Sequence, residues 1–292
     1  MIRVLVAGLL VLYAVSDSTG AGGGTSDLST LLARVGQRVE QYYGRAQSIM
    51  CEETVRLEQL GHDLLWDGSH VRRLVYELRV AWSGASPDGK TPEATVLRQL
   101  ISVNGRPPRE GDEPGCMDPK PVSPEPLAML LPGQQGDYRF SAAGTRRTRA
   151  GSTVMLDFTS MASRPPEIQW KGDCVSVDLP GRWRGRVWLD GATADVLRLD
   201  EQLIGMFDLP TPRHQMRRGA SPSMTIERVN SSTRYRPVQF ADPNETLMLP
   251  ESIVTVQVIR DSGSPRLRIV QAFSNYRRFV TDARIVQDTE PR

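Results

Sequence analysis

The N-terminal part of the chain carries an amphipathic helical pattern. Between Asp27 and Ile49, apolar residues recur at steps of three or four positions: Leu28, Leu31, Leu32, Val35, Val39, Tyr42, Tyr43, Ala46 and Ile49. This spacing predicts one long helix over 27–49, with Ser26 or Asp27 as its N-cap. The polar positions carry charges of both signs, which is typical of a helix packed on a protein core and not of one lying on a membrane.

After Glu52 the period of the pattern changes from about 3.6 to 2. The clearest stretch is 73–82, where the apolar residues alternate with charged ones: Leu74, Tyr76, Leu78, Val80 and Trp82. The same alternation returns along the chain, for example in Val254, Val256 and Val258, and predicts about ten antiparallel strands with one apolar face. Turn dipeptides such as Asn104-Gly105 and Asp190-Gly191 separate the strands, so we expect an up-and-down order.

Two longer segments interrupt this pattern. Residues 105–126 are rich in proline, and Ser123-Pro124-Glu125 at their end predicts a short helix over 125–131. Residues 205–222 form an irregular excursion between strands, a kind of loop that is often functional. Neither segment separates two cores, so residues 27–287 are predicted to form a single domain. The predicted fold class is α+β, a curved antiparallel sheet or unclosed barrel with both helices on its concave face.

The first residues indicate where the protein works. Arg3 precedes an uninterrupted apolar run over 4–15, and small and polar residues follow it. This arrangement predicts a secretory signal peptide over 1–21, followed by a spacer over 22–26. The apolar run is shorter than the roughly 20 residues that a membrane-spanning helix needs, so we expect no transmembrane segment after cleavage. The mature chain is therefore expected to be periplasmic or secreted.

The net charge limits the classes of binding partner, and the cysteine content indicates a disulfide. The formal net charge is +2, which is too small to indicate nucleic-acid binding. The chain has three cysteines, and export to an oxidising compartment favours one disulfide and one free thiol. All three pairings are possible. Cys116 in a Pro/Gly-rich loop and Cys174 after a Gly-Asp turn form the favoured pair, while Cys51 begins an apolar segment and is expected to be buried.

The sequence contains no pattern that indicates catalysis. A GxSxG elbow, an HExxH motif, a P-loop and a GxGxxG loop are absent, and the three histidines are scattered. Zinc is not expected either, because no CxxC or HxxxH spacing occurs. Glu52 and Glu53 are adjacent on a predicted strand and so point to opposite faces, which prevents them from acting together on one substrate atom. We therefore predict a non-enzymatic protein without a cofactor.

A binding surface is the remaining functional hypothesis. A sheet that curls around one helix leaves an apolar trough, which is either filled by side chains or kept open for an apolar ligand. The residues predicted to line an open trough are Leu74, Tyr76, Leu78, Val80, Trp82, Val254, Val256 and Val258. An empty apolar cavity of several hundred Å3 would favour the ligand hypothesis. Trp188 alternates with Arg184 and Arg186 on the opposite face, where it either stacks on these arginines or marks a partner surface.

The pattern resembles a known family. The export signal, the long helix, the proline-rich loop with a short helix and the run of strands resemble the LolA/LolB-like periplasmic lipoprotein carriers. The stretch over Gly185 to Leu203, GRVWLDGATADVLRLDEQL, is similar to a hairpin of such proteins. Three further segments, LLPGQQGDYRF, LPESI and FSNYRRF, are similar to segments of uncharacterised exported bacterial proteins with this kind of sheet. The resemblance spans most of 27–285. It implies an unclosed barrel whose mouth is covered by helices.

Two functional hypotheses follow. The first is an exported protein that binds an apolar ligand or the acyl chain of a lipoprotein in the cell envelope. The second is an envelope protein-interaction or regulatory module with the same fold and a packed interior, which exposes Trp188 and the 205–222 segment to a protein partner. The interior volume of the structure distinguishes the two.

Overall fold

The structure is a computed structural model that describes residues 24–46, 48–82, 94–112, 125–148, 151–161, 164–171, 174–211, 221–262 and 265–278. The predicted signal peptide and Cys116 lie outside these residues. The predicted pairing of Cys116 with Cys174 therefore stays a prediction. Cys51 is buried, as its place in an apolar segment indicated, and forms no disulfide within the described residues.

The first helix, α1, spans Gly24–Arg45. It ends earlier than the predicted 27–49 because strand β1 begins at Ser48. The amide of Ala46 still donates to the carbonyl of Tyr42 at 2.8 Å, so the last turn is closed by a helical hydrogen bond. Ile49 fits the helical spacing but lies in β1, and its side chain packs in the same core as the helix.

Thirteen strands make up most of the rest of the described chain. They are β1 Ser48–Gln59, β2 Arg72–Trp82, β3 Ala94–Val103, β4 Tyr138–Thr148, β5 Gly151–Ser160, β6 Glu167–Lys171, β7 Cys174–Asp178, β8 Trp183–Asp190, β9 Val196–Leu203, β10 Phe207–Pro210, β11 Ser223–Ala241, β12 Asn244–Arg260 and β13 Arg266–Arg278. Helix α2 is a single turn, Glu125–Ala128, and is shorter than the predicted 125–131. The excursion over 205–222 is not wholly irregular, because it contains β10.

Eleven strands form one antiparallel sheet in the order β3-β2-β1-β13-β12-β11-β9-β8-β5-β4, with β10 paired to β11. Neighbours in sequence are mostly neighbours in the sheet, as predicted. The main exception is the pairing of β1 with β13, which joins the two ends of the chain. The sheet is not closed: β3 and β4 lie at its two edges and are separated in sequence by the proline-rich segment.

Turn chemistry explains two of the tight reversals of the chain. Asn104 and Gly105 have φ values of 50° and 80°, the left-handed backbone that an Asn-Gly turn supplies after β3. Between β8 and β9, the Asp190 carboxylate accepts the amides of Ala192 and Thr193 at 2.9 and 2.8 Å. Both turns were recognisable in the sequence because each depends on a local residue preference.

The core lies between α1 and one face of the sheet, which we call the inner face. Val35, Val39 and Tyr43 of α1 pack in one cluster with strand residues such as Leu189 and Leu199. The segment after α2 is tied to the helix, because the Gln135 side chain donates to the carbonyl of Leu32 at 3.0 Å and to that of Leu130 at 2.7 Å. The opposite side of the sheet is called the outer face.

Candidate functional site

The inner face contains the apolar trough that the sequence predicted, but little space is left in it. Its lining residues are Tyr42, Ile49, Cys51, Leu78, Val80, Trp82, Thr233, Tyr235, Leu249, Pro250, Ile253, Phe273 and Tyr276. The volume is about 40 Å3, and a neighbouring pocket beside Arg38 and Asp195 has about 30 Å3. A volume of this size holds a few waters at most. The trough is filled by side chains in this structure.

The eight residues predicted to line the trough do not come together. Leu78, Val80 and Trp82 line it. Leu74 and Tyr76 are also on the inner face, but they are 0% and 1% exposed in a separate apolar cluster further along β2. Their contribution to ligand binding stays a prediction.

The β12 valines occupy a different place. Val254 and Val256 line a groove on the outer face. Val258 alternates with them and is buried. Of the β12 residues near these valines, Ile253 lines the trough instead. These valines therefore do not share one surface with Leu78, contrary to the single apolar face that the alternation predicted.

Strand register explains why the β12 valines face outward. Val254 pairs with Val270 of β13, which pairs with Arg56 of β1, which pairs with Arg73 of β2. Residues that pair across antiparallel strands point to the same side, so Val254 shares a face with Arg73 and not with Leu74. The decisive step is the β1–β13 pairing, which joins residues more than 200 positions apart and leaves no local signal.

A buried ion pair lies on the inner face near the trough. The Arg98 guanidinium donates to both carboxylate oxygens of Glu53, at 2.8 and 3.0 Å, and Gln271 Nε2 donates to Glu53 Oε1 at 2.8 Å. The guanidinium also lies 3.7 Å from the centre of the Tyr76 ring. The Glu53 side chain is 0% exposed and that of Arg98 is 9% exposed. These contacts satisfy charges that would otherwise be costly to bury.

The sequence contained a signal for this pair. Glu53 occupies the same strand face as Cys51 and Val55, and a carboxylate in an apolar row indicates a buried partner. As the alternation predicted, Glu52 and Glu53 point to opposite faces, since they pair with Glu77 and Tyr76 respectively. The identity of the partner, Arg98 on β3, required the tertiary structure.

A second carboxyl group on the inner face, that of Glu201, was not predicted from the sequence. Glu201 lies in the β9 row between Leu199 and Leu203, and burial raises its pKa from 4.5 to about 7. Burial likewise raises the pKa of the Cys51 thiol to about 12. The thiol is therefore protonated at neutral pH and is a poor nucleophile, in agreement with a structural role.

The outer face carries an open groove across β5, β8, β9, β11 and β12, with a volume of about 630 Å3. The residues that line it include Asp157, Gly185, Arg186, Trp188, Asp200, Gln202, Asn230, Ser231, Ser232, Val254 and Val256. The backbones of β8 and β9 are very close here, since a Cβ on Gly185 would lie 1.8 Å from the Asp200 carbonyl oxygen. Gly185 is therefore required for this approach.

Trp188 is held by arginines at the centre of the groove. The Arg198 guanidinium carbon lies 4.6 Å from the Trp188 ring centre and that of Arg186 lies 5.9 Å from it. Of the two arginines expected to stack on Trp188, Arg186 does so, while Arg184 makes no such contact among the described residues; Arg198, which was not expected, is closer. Each arginine also forms a two-pronged ion pair, Arg186 with Asp157 and Arg198 with Asp200, with distances between 2.6 and 3.0 Å.

These contacts define what the groove can do. Both arginines are neutralised by carboxylates, so the groove does not present an unbalanced charge to an anion. It offers instead an aromatic ring, two half-buried valines and several hydrogen-bonding groups. The Oδ1 atom of Asn230 is buried and has no hydrogen-bond partner among the described residues. Such a mixture of apolar and polar groups is common in protein interfaces.

Two classes of site are not found in the described part of the chain. No group of three or more His, Cys, Asp or Glu residues is placed to hold a metal ion there. Over the same residues, no helix is long and apolar enough to span a membrane.

No protein-family model matches the chain, and no curated protein matches it. Among solved structures, it is similar to a LolA superfamily protein from Nitrosomonas europaea, with 9% identity, coverage of 85% of this chain and 94% of that one, and a TM-score of 0.34. It is also similar to an outer membrane lipoprotein-sorting protein domain from Vibrio parahaemolyticus, with 10% identity, coverage of 88% and 95%, and a TM-score of 0.36. A DUF1329 family protein from Desulfovibrio piger has 10% identity, coverage of 88% and 95%, and a TM-score of 0.40.

The first of these structures bears the LolA name of the family that the sequence resembles, and the second is named for lipoprotein sorting.

Proposed function

We propose that this chain is an exported, non-enzymatic protein of the cell envelope that binds a protein partner in the groove on the outer face of its sheet. Its interior is packed and serves as a scaffold. The predicted signal peptide supports the location, and the absence of catalytic motifs in the sequence supports a binding role.

The observation that carries this proposal is the difference in volume between the two faces. The inner trough has about 40 Å3, whereas the outer groove has about 630 Å3. Ligand pockets for drug-sized molecules usually have about 300–1,000 Å3. The groove is therefore the surface on which a second molecule fits without rearrangement.

The chemistry of the groove indicates the kind of partner. Val254 and Val256 offer apolar surface, and Trp188 offers an aromatic ring of the type that often contributes most to protein binding. The neutralised ion pairs around them leave little net charge. We therefore expect a partner segment with apolar side chains flanked by uncharged polar groups.

Site-specific cross-linking in the native host tests this proposal. A photoreactive phenylalanine analogue at position 256 should give a discrete cross-linked species, and the combined Trp188→Ala substitution should reduce its yield at least about fivefold. The same analogue at position 239, an exposed residue at the far end of β11 from the groove, is the control. Equal yields at 256 and 239, or no effect of Trp188→Ala, would contradict the proposal.

A second candidate function is the binding of an apolar ligand or a lipoprotein acyl chain in the trough. It is favoured by the lining itself, in which Leu78, Val80, Trp82 and Phe273 meet with few polar atoms. An acyl chain needs more room than the trough has, so α1 would have to move. The helix is held to the β8–β9 turn by Arg38, which pairs with Asp195, and by Arg34, which donates to the Ala192 carbonyl at 2.7 Å.

Native mass spectrometry of the protein from its own periplasm tests the second candidate. A lipid adduct that survives in detergent-free buffer supports it. Arg38→Ala, which weakens the attachment of α1, should then increase the uptake of a fluorescent fatty acid, while Arg79→Ala should not. A clean mass without adduct, together with no uptake by Arg38→Ala, would exclude it.

A further inference from the structure

The two edges of the open sheet differ in a way that concerns assembly. On one edge, β4 carries Arg139, Arg146 and Arg147, all exposed, and a bulge between Ala142 and Gly144. Outward charges of this kind hinder the addition of another strand. The edge is therefore protected.

The other edge, β3, also has a bulge, at Ile101, but it presents no outward charge. It is ten residues long, contains no proline or lysine, and pairs on one side with β2; no other described strand pairs with it. Its only charged residue is Arg98, which points to the inner face and is neutralised by Glu53. The outward row consists of Thr95, Leu97, Gln99 and Ile101, which are all uncharged.

This outward row exposes two large apolar side chains. Leu97 is 57% exposed and Ile101 is 47% exposed. They lie four residues apart with Gln99 midway between them, so these three positions are symmetric about Gln99. The symmetry ends at the bulge, since Val103, the counterpart of Thr95, is buried. An uncharged, apolar edge strand of this length is a template for another strand.

We propose that β3 pairs with β3 of a second copy of this chain, antiparallel and centred on Gln99. In that register Leu97 lies opposite Ile101 of the second copy, and the reverse contact follows from the twofold symmetry. The four apolar side chains form one patch, and the two Gln99 side chains meet at the axis. A β4–β4 contact would instead bring arginines together, and a β3–β4 contact would leave free edges and form open chains.

The expected dimer is weak and concentration-dependent. Pairing of a single strand buries less surface than the roughly 1,200 Å2 of a typical stable interface. We therefore expect a monomer–dimer equilibrium, which sedimentation equilibrium measures. Leu97→Lys should raise the dissociation constant at least about tenfold, because it removes two of the four apolar contacts and places a charge in each. Arg139→Glu on the protected β4 edge should leave it unchanged.

Cysteine cross-linking tests the register. Paired residues of antiparallel strands have Cα atoms about 4.5–5.5 Å apart, within the range that a disulfide bridges. Gln99→Cys should therefore form a disulfide-linked dimer under mild oxidation. Thr95→Cys is the matched control, because its two copies would lie roughly 26 Å apart. Both variants keep the native cysteines, so any cross-linking through those is common to both.

The outcomes are distinct. Cross-linking of Gln99→Cys well above Thr95→Cys, with dissociation by Leu97→Lys, supports the β3 dimer. Equal cross-linking of the two variants, an unchanged dissociation constant in Leu97→Lys, or a purely monomeric chain at high concentration would overturn it. None of these results depends on the partner proposed for the groove, because the groove, with Trp188, lies on strands other than β3.

Discussion

The two faces of the sheet use the same ion-pair chemistry in different surroundings. On the inner face, the side chains of Arg98 and Glu53 are 9% and 0% exposed. On the outer face, those of Arg186 and Asp157 are 40% and 44% exposed, although both pairs have two-pronged geometry. A buried pair is strongly destabilising when one partner is lost, whereas an exposed pair contributes little. Similar hydrogen-bond distances therefore do not imply similar energies.

The same contrast separates structure from binding. The inner face has apolar side chains that are nearly all covered, so its groups stabilise the fold. The outer face has an open groove whose charged groups are solvated and already paired. Residues of the inner face should therefore affect the stability of the protein, and residues of the groove should affect its interactions.

The largest expected effect is the loss of Arg98. Arg98→Met should lower the free energy of unfolding by about 3–5 kcal/mol, because it leaves the Glu53 carboxylate buried without its cation. Urea denaturation measures this change. Arg186→Met on the outer face is the matched control and should cost less than about 1 kcal/mol. The double variant Glu53→Leu/Arg98→Met should regain part of the loss, and failure to do so would mean that the pair does more than neutralise charge.

An apolar substitution gives the next effect. Leu78→Ala should destabilise the protein by about 2–5 kcal/mol, because Leu78 is 2% exposed and its removal leaves a cavity in the trough. Leu97→Ala, at an exposed position of the neighbouring strand, should cost less than about 0.5 kcal/mol. Thermal unfolding followed by circular dichroism compares the two. Similar losses would contradict the assignment of the inner and outer faces.

The pH dependence of stability should reveal Glu201. Since its folded-state pKa is raised from 4.5 to about 7, the folded chain binds a proton more readily than the unfolded chain between these values. The contribution of Glu201 to the free energy of unfolding therefore falls as pH rises from about 4.5 to 7. Glu201→Gln should remove this contribution and stabilise the protein at pH 8 by roughly 1–3 kcal/mol.

The control for that measurement is Glu251→Gln, because Glu251 is exposed. Denaturation at pH 4, 6 and 8 should give the same profile for this variant as for the unchanged chain. A Glu201→Gln variant whose profile also matches the unchanged chain would show that the carboxyl group is solvated.

The smallest expected effect concerns the attachment of α1 at the border of the inner face. The side chains of Arg38 and Asp195 are 35% and 16% exposed, so the pair is intermediate between the two faces. Asp195→Asn should lower the free energy of unfolding by about 0.5–1 kcal/mol, and less at high salt. Denaturation at two ionic strengths measures it. A loss above about 3 kcal/mol would show that the Arg38–Asp195 pair behaves energetically like the buried Arg98–Glu53 pair.

Local features were predictable because they depend on local residue preferences. The apolar spacing around Val35 and Val39 predicted the position of α1, and the period of two predicted β2 and the sheet class. Asn104-Gly105 predicted the turn after β3. The end of α1 was less well predicted, because Ala46 and Ile49 fit the helical spacing and are also buried after the chain has become a strand.

Features that join distant parts of the chain were not predictable. The alternation in β12 was visible, but Ile253 and Val254 are adjacent and both apolar, so either side of the strand could have faced the core. The choice between them is made by the register with β13 and β1. The same applies to Glu53, whose position in an apolar row was visible but whose partner on β3 was not.

By itself, the sequence determined the elements and their chemistry: one long amphipathic helix, a set of antiparallel strands and the turns are encoded in local periodicity and residue preference. Only the tertiary structure decided which face each strand presents, that the trough is filled, and that the open groove lies on the other side around Trp188. The physical reason is that side-chain direction in a strand reverses with every residue. A pairing between β1 and β13, at opposite ends of the chain, therefore assigns entire rows of side chains to the core or to the surface.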